Sequence, residues 1–428
     1  MKVWPRLRSS SALWGAPLAL AVTVFYYFSV TSAYVADESY GYAPGIVSYS
    51  LSSMYPFAYA VAAAFGSWES GRLVRASIWD VGPVRSRYRV AFDALIPVVG
   101  LSVLMVVLPV VLALVQWGAY PTLGSMRPLL LAVALCAAYA VLGFAVGLWV
   151  RPEVASPLLT VLVYLAVAYP VALDTFWLRH VTGQYPHALS YGEVATWQSM
   201  AAHALPACAL AGALAVLWLP VGKLAQRALV GVLMVAVASV AAWSIAREWG
   251  PTPPVETRAA ELACVGTRPK VCMPKGSGED AGAVGADVRE VLHRLRNVGI
   301  SASPEKVTDT LIDGRYPKES TDSVWQLALT KGSRDGLVRY QTVRQAVAFP
   351  CTMPDIHASR MVVGWAAAAA GEQQTFRSLL REDPSHDARE QRALEEAVSR
   401  VRSRTADEQR DWYRVMRAKA CADRGRDS

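Results

Sequence analysis

The sequence predicts an all-α polytopic membrane bundle of about seven transmembrane helices, followed by a mainly α extracytoplasmic C-terminal domain. Three observations carry this prediction. Apolar runs fill the chain from Ser11 to Ala246, basic residues are unevenly divided among the loops between those runs, and four of the six cysteines lie in the charged remainder. The chain is 54% hydrophobic and 18% charged, against roughly 25% charged in soluble domains. It divides into 1–246, a transmembrane domain; 247–254, a Pro-rich linker (REWGPTPP); and 255–428, an extracytoplasmic domain.

A spanning helix needs about 20 mostly apolar residues to cross a hydrocarbon core of about 30 Å. The runs that meet this test are 11–34, 43–68, 91–117, 129–150, 157–177, 200–222 and 228–246. The second is the most polar, with Ser48, Ser50, Ser52, Ser53 and an internal Pro56, groups that a helical bundle tolerates. The first follows Lys2, Arg6 and Arg8 and ends near Thr31-Ser32-Ala33, as a signal peptide does. It is longer than a signal-peptide apolar region and is expected to remain as a helix.

Orientation follows from the distribution of Lys and Arg in short loops. With the N-terminus in the cytoplasm, Lys2, Arg6, Arg8, Arg72, Arg75, Arg85, Arg87, Arg89, Arg151, Lys223 and Arg227 lie inside, and only Arg127 and Arg179 lie in the short outer loops. Seven crossings then carry the C-terminal domain out of the cytoplasm. Those inner basic residues, set against Glu69, Asp80 and Glu153, account for the net charge of +8. No basic face remains for a nucleic-acid partner; the partner read from composition is the lipid bilayer.

Cys136 and Cys208 fall in predicted helices and read as small packing residues. Cys264, Cys272, Cys351 and Cys421 lie in the outer domain, where an even number reads as two disulfides. Cys264 and Cys272 are close enough for a local loop, and Cys351–Cys421 would then staple the helical part; three pairings are open on the sequence alone. Zinc is disfavoured by the lack of paired-ligand spacing.

Two connections stand out. The first, WESGRLVRASIWDVGPVRSRYR from Trp68, reads as a short amphipathic interfacial helix broken at Gly82-Pro83. Its alternatives are a lipid anchor and a docking element. The second, from Asp174, carries Arg179, His180, His187 and Glu193 among aromatics. Arg179, His180 and Glu193 read either as the lining of an outer pathway or as a solvated loop.

In the C-terminal domain, Val284, Val288, Val291, Leu292 and Leu295 recur at helical spacing. Ser303-Pro304-Glu305 reads as a helix start. Thr405 and Glu408 form a capping box before Trp412, Val415 and Met416. A long helix is expected around 360–380, capped by Asp355, with short strands at 270–273 and 299–301.

No catalytic motif emerges. The P-loop, the Gly-x-Ser-x-Gly elbow and His-Glu-x-x-His are all missing, and His293, His357 and His386 stand apart from one another. The chain is read as a non-enzyme with no cofactor and no metal. The apolar runs contain few ionisable groups, with Asp93 and His203 near helix ends, which argues against an ion-coupled carrier.

Three stretches carry a family resemblance: the second run leading into FGSWESGRLVRASIWDVGPVRSRYR, the six-helix order with a long polar outer connection before the sixth, and ACVGTRPKVCMPKG after a seventh helix. In these the chain resembles the permease subunits of ABC-2-type exporters, specifically the actinobacterial type with a C-terminal extracytoplasmic domain. The resemblance implies the membrane half of an ATP-driven exporter, with a separate cytoplasmic ABC ATPase subunit and a second permease copy or homologue as partners. It implies ATPase coupling through the element after the second run, which maps to Trp68, Glu69, Arg72 and Arg75. The alternative is a non-transporting membrane anchor that presents the outer domain as a sensor or assembly factor.

Overall fold

The computed structural model describes residues 10–32, 40–80, 86–185, 188–219, 223–258, 261–383 and 387–422. The Gly82-Pro83 break, His187 and His386 lie outside them, as do the ends of the first and sixth expected spans. The chain divides into two compact units after Arg258, four residues beyond the expected linker.

The N-terminal unit is helical. Among the described residues, six helical segments are long and apolar enough to cross a membrane: Ser11–Thr31, Arg87–Gln116, Leu123–Val146, Pro152–Ala172, Trp197–Leu217 and Leu224–Ala246. The first is α1 (Ser11–Tyr26) continued by a π turn, Tyr27–Thr31. The expected span over 43–68 is instead two helices, α2 (Ala43–Ser52) and α3 (Tyr55–Arg75). They part at Ser53-Met54, where Pro56 sits in the first turn of α3; a proline there has no N–H to continue the preceding ladder. α3 then runs on through Trp68 to Arg75 without a break. The expected separate interfacial helix is therefore, up to Arg75, the end of α3.

Next come α4 (Arg87–Gln116), α5 (Leu123–Val146), α6 (Pro152–Ala168), α7 (Phe176–Arg179), α8 (Trp197–Leu217) and α9 (Leu224–Ala246). Hydroxyl caps set several starts. Ser86 accepts from the Arg89 N–H, Thr122 and Ser125 form a reciprocal box, and Thr196 accepts from the Ser199 N–H.

α3 lies against α4, α5 and α6. Small residues bring α3 and α5 into backbone contact, as interhelical packing in membranes favours. A Cβ on Gly143 would stand 1.9 Å from the Ala63 carbonyl oxygen, and one on Gly147 would stand 2.2 Å from that of Ser67. The core around this seam contains Leu51, Met54, Tyr55, Tyr59, Leu135 and Cys136, with Tyr59 stacked on Tyr139 at 5.0 Å. Strand β1 (Glu193–Ala195) pairs antiparallel with β2 (Val255–Thr257). That pairing draws residues 255–258 into the N-terminal unit and moves the boundary past 254.

The C-terminal unit contains a four-stranded sheet of β3 (Leu262–Val265), β4 (Lys270–Pro274), β5 (Lys306–Asp309) and β6 (Val324–Leu327), in that order. β3–β4 is antiparallel; β4–β5 and β5–β6 are parallel. A parallel pair needs a crossover, and α10 (Ala281–Asn297) makes the one from β4 to β5. Its Val284, Val288 and Leu292 pack in one core with Val271, Met273 and Val307, while Val291 and Leu295 face the helical core around Trp365.

The strand expected at 299–301 is a turn, with Gly299 at φ 90°. The Ser303-Pro304-Glu305 segment starts no helix but leads into β5, as the Lys270 N–H bonds the Glu305 carbonyl. After α11 (Leu329–Arg334) and α12 (Val338–Ala346), the helix expected around 360–380 is α13 (Ile356–Ala370) and α14 (Gln373–Glu382), parted by Gly371 in the left-handed conformation, with α15 (Ala388–Arg402) following. Asp355 caps α13 through the Ala358 N–H at 2.8 Å, and Thr405 and Glu408 cap α16 (Ala406–Ala422). Cys264 is bonded to Cys272 across β3–β4. Cys351 is bonded to Cys421 at the end of α16.

Candidate functional site

At the charged end of α3 lies a cleft of about 650 Å³, lined by Ser10, Glu69, Arg72, Arg75 and, from α4, Val90 and Asp93. Local sequence explains its geometry. α3 closes in a left-handed turn: the Ser77 N–H bonds the Val74 carbonyl at 2.9 Å and the Ile78 N–H bonds the Leu73 carbonyl at 3.2 Å. Ser77 holds φ 50°, a position that glycine usually fills.

Of the expected contact residues, Glu69 faces inward and is 6% exposed. Its Oε1 accepts from the Ser11 N–H at 2.6 Å, the Ser11 hydroxyl at 2.7 Å and the Ser10 hydroxyl at 3.1 Å. It therefore caps the start of α1, where a carboxylate satisfies free donors and complements the helix dipole. Arg72 pairs with Glu69 Oε2 at 3.1 Å. Glu69 thus forms an internal tie between α3 and α1.

Arg75 is exposed and pairs with Glu153 of α6 at 2.6 Å, and its guanidinium lies 5.8 Å from the centre of the half-buried Trp68 ring. Trp68 and Arg75 are the members of the set that reach the surface beside α6. A Cβ on Gly71 would meet the Pro152 ring at 2.6 Å, so α3 and α6 also touch closely here. Ser10, Ser11, Asp93 and Glu153 complete the site, and none of them was singled out from the sequence as part of it. The signal for Ser10-Ser11 was their place before an apolar run, which marks a cap but not its partner 58 residues away.

The second expected cluster, Arg179, His180 and Glu193, is not gathered into one lining. Arg179 donates to the Leu173 carbonyl at 2.7 Å and to the Pro251 carbonyl at 3.3 Å. His180 is fully buried, with Nε2 2.9 Å from the Gly250 carbonyl and its ring beside Trp249 and His203. Burial, with Arg179 adding to it, holds the His180 imidazole below its ordinary value. Glu193 is buried in β1 and accepts from the Ser190 N–H. Arg179 and His180 bind the segment that leads to β2, and the Glu193 carboxylate closes the turn before β1.

Among the described residues, no group of three His, Cys, Asp or Glu side chains is placed to hold a metal. The cleft brings together opposed charges and hydroxyls. Its exposed charges, Arg75 among them, can pair with opposite charges or hydrogen-bond acceptors. Comparison with protein families, characterised proteins and solved structures finds no match to this chain.

Proposed function

We propose that this chain is the integral-membrane permease subunit of an ATP-driven, ABC-type exporter, energised by a separate cytoplasmic ATPase subunit and paired with a second permease copy or homologue. In this reading α3 makes a seventh crossing beside the six apolar segments, so the chain sits in the cytoplasmic membrane with its N-terminus and the α3 end inside, and the unit beyond Arg258 outside.

The observation that carries the reading is the placement of α3. It packs against α4, α5 and α6, and its charged end is tied to the start of α1 through Glu69. A partner pressing on Trp68 and Arg75 would displace the helix that touches most of the bundle. The close contacts at Gly143, Gly147 and Gly71 leave little slack, because packed interfaces shift between discrete arrangements rather than deform. The uneven distribution of basic residues supports the orientation.

The test is co-purification in mild detergent from the native membrane. The wild-type chain is expected to bring down a P-loop ATPase, and Arg75→Glu combined with Trp68→Ala is expected to lose it. Repeated recovery without any ATPase would remove the exporter reading and favour the anchor.

A further inference from the structure

A second cavity, of about 910 Å³, lies on the N-terminal unit and has a different character. Its walls are apolar side chains of α4 (Phe92, Ile96 and Val103), α5 (Val141 and Phe144) and α8 (Leu214). Its polar groups are gathered at one end, where Ser86, Tyr88 and Arg89 stand. Trp218 closes that end, ringed by Tyr88 at 6.4 Å, Trp79 at 5.6 Å and Phe144 at 5.5 Å. Trp and Tyr in such a ring belong at the headgroup level of a bilayer.

Arg89 lines the mouth, and Arg227 stands beside the Trp218 backbone. Arg89 is exposed, and its partner is Asp93 at 3.6 Å. Arg227 donates to the carbonyls of Leu217 and Leu219, on either side of Trp218. From Arg89 to Val103 the groove follows 14 residues of α4, about 21 Å at 1.5 Å per residue. That is more than the depth of one leaflet in a hydrocarbon core of about 30 Å. A Cβ on Gly100, which lines the groove, would have no neighbour within 4 Å.

We infer that this groove holds one acyl chain of an anionic phospholipid, with its headgroup phosphate between Arg89 and Arg227. An apolar slot long enough for a chain that crosses one leaflet, aromatic at its rim and cationic at its mouth, matches an anionic lipid in both its parts. Basic pockets between transmembrane helices recognise such headgroups. The inference takes from the proposed function only the membrane setting and its cytoplasmic leaflet; it is independent of any ATPase.

The experiment is native mass spectrometry of the full chain released from bilayers of equal phosphatidylglycerol and phosphatidylcholine. Wild-type protein is expected to retain phosphatidylglycerol in preference to phosphatidylcholine. Arg89→Gln should reduce that preference about fivefold, the factor that corresponds to about 1 kcal/mol per basic residue at a membrane surface. Gly100→Leu, and independently Ile96→Trp, should fill the groove and abolish retention while the protein stays folded by circular dichroism. Absence of a headgroup preference in the wild type would overturn the inference, whatever the variants do. Retention unchanged in a folded groove-filling variant would also overturn it, as would a lipid-free dimer that Gly100→Leu dissociates, since the occupant would then be a second copy.

Discussion

Replacing Glu69 tests whether α3 and α1 move as one. Its carboxylate holds the Ser11 N–H and the hydroxyls of Ser10 and Ser11, and Arg72 completes the set at 3.1 Å. A hydrogen bond to a charged group contributes about 1.5–3 kcal/mol, and removing one partner of a buried pair costs about 3–5 kcal/mol. The Arg72 side chain is 40% exposed, so water recovers part of that loss and the lower end applies. Glu69→Ala should therefore cost about 3 kcal/mol. Glu69→Gln keeps one acceptor for the Ser11 N–H and loses the charge, at about 1 kcal/mol. For a unit of this size, each kcal/mol moves the melting point by about 2–4 °C, which places Glu69→Ala about 6–12 °C below the wild type. Cys136 is buried and free while Cys208 is exposed, so thiol reactivity in a Cys208→Ala background reports unfolding in detergent. A Glu69→Ala protein melting within 1 °C of the wild type, or a Gln variant as damaged as the Ala variant, would refute the tie.

Other outcomes are expected with it. Gly143→Leu drives a side chain into the Ala63 backbone and should cost at least the 1–3 kcal/mol typical of overpacking, read as a lower melting point in the same assay. Cys351→Ala opens a bridge spanning 70 residues, worth about 4 kcal/mol in the chain-entropy account; increased protease cleavage in the C-terminal unit checks it. His180 is held neutral by burial, so the fold keeps its full contribution above the ordinary imidazole value of about 6.5. That contribution should decline by up to about 1.4 kcal/mol per pH unit as pH falls below 6.5 toward the lowered folded value. The difference in melting point between wild type and His180→Gln, followed from pH 7.5 to 5, reports it. A cysteine at Ser77 should react only with reagent on the cytoplasmic side and one at Thr267 only with reagent outside; the reverse pattern would overturn the orientation.

Hydropathy located the apolar helices because each is long enough to satisfy its own backbone, and that property is local. The failures came where a distant partner decides. Nothing near 43–68 shows that Pro56 starts a new helix, since proline in a first turn and proline inside a span look alike in sequence. Glu69 looked like an exposed charge between helices because the serines that bury it precede it by 58 and 59 residues. Ser303-Pro304-Glu305 carries the chemistry of a helix start, yet sheet pairing with Lys270 governs the chain there. The strands β3, β5 and β6 are four residues each, too short for alternation to declare them. Caps fared better, at Asp355 and Thr405, because donor and acceptor are three residues apart.

Site-specific photo-crosslinking tests whether the end of α3 receives a cytoplasmic ATPase. A photoreactive residue would replace Arg75, exposed beside Trp68, in the full chain in native membranes. The account predicts a crosslink to a protein bearing a P-loop, and none from the same residue placed at Thr267. Crosslinks from position 75 that reach only lipid, or labelling of that position from outside the cell, would contradict it.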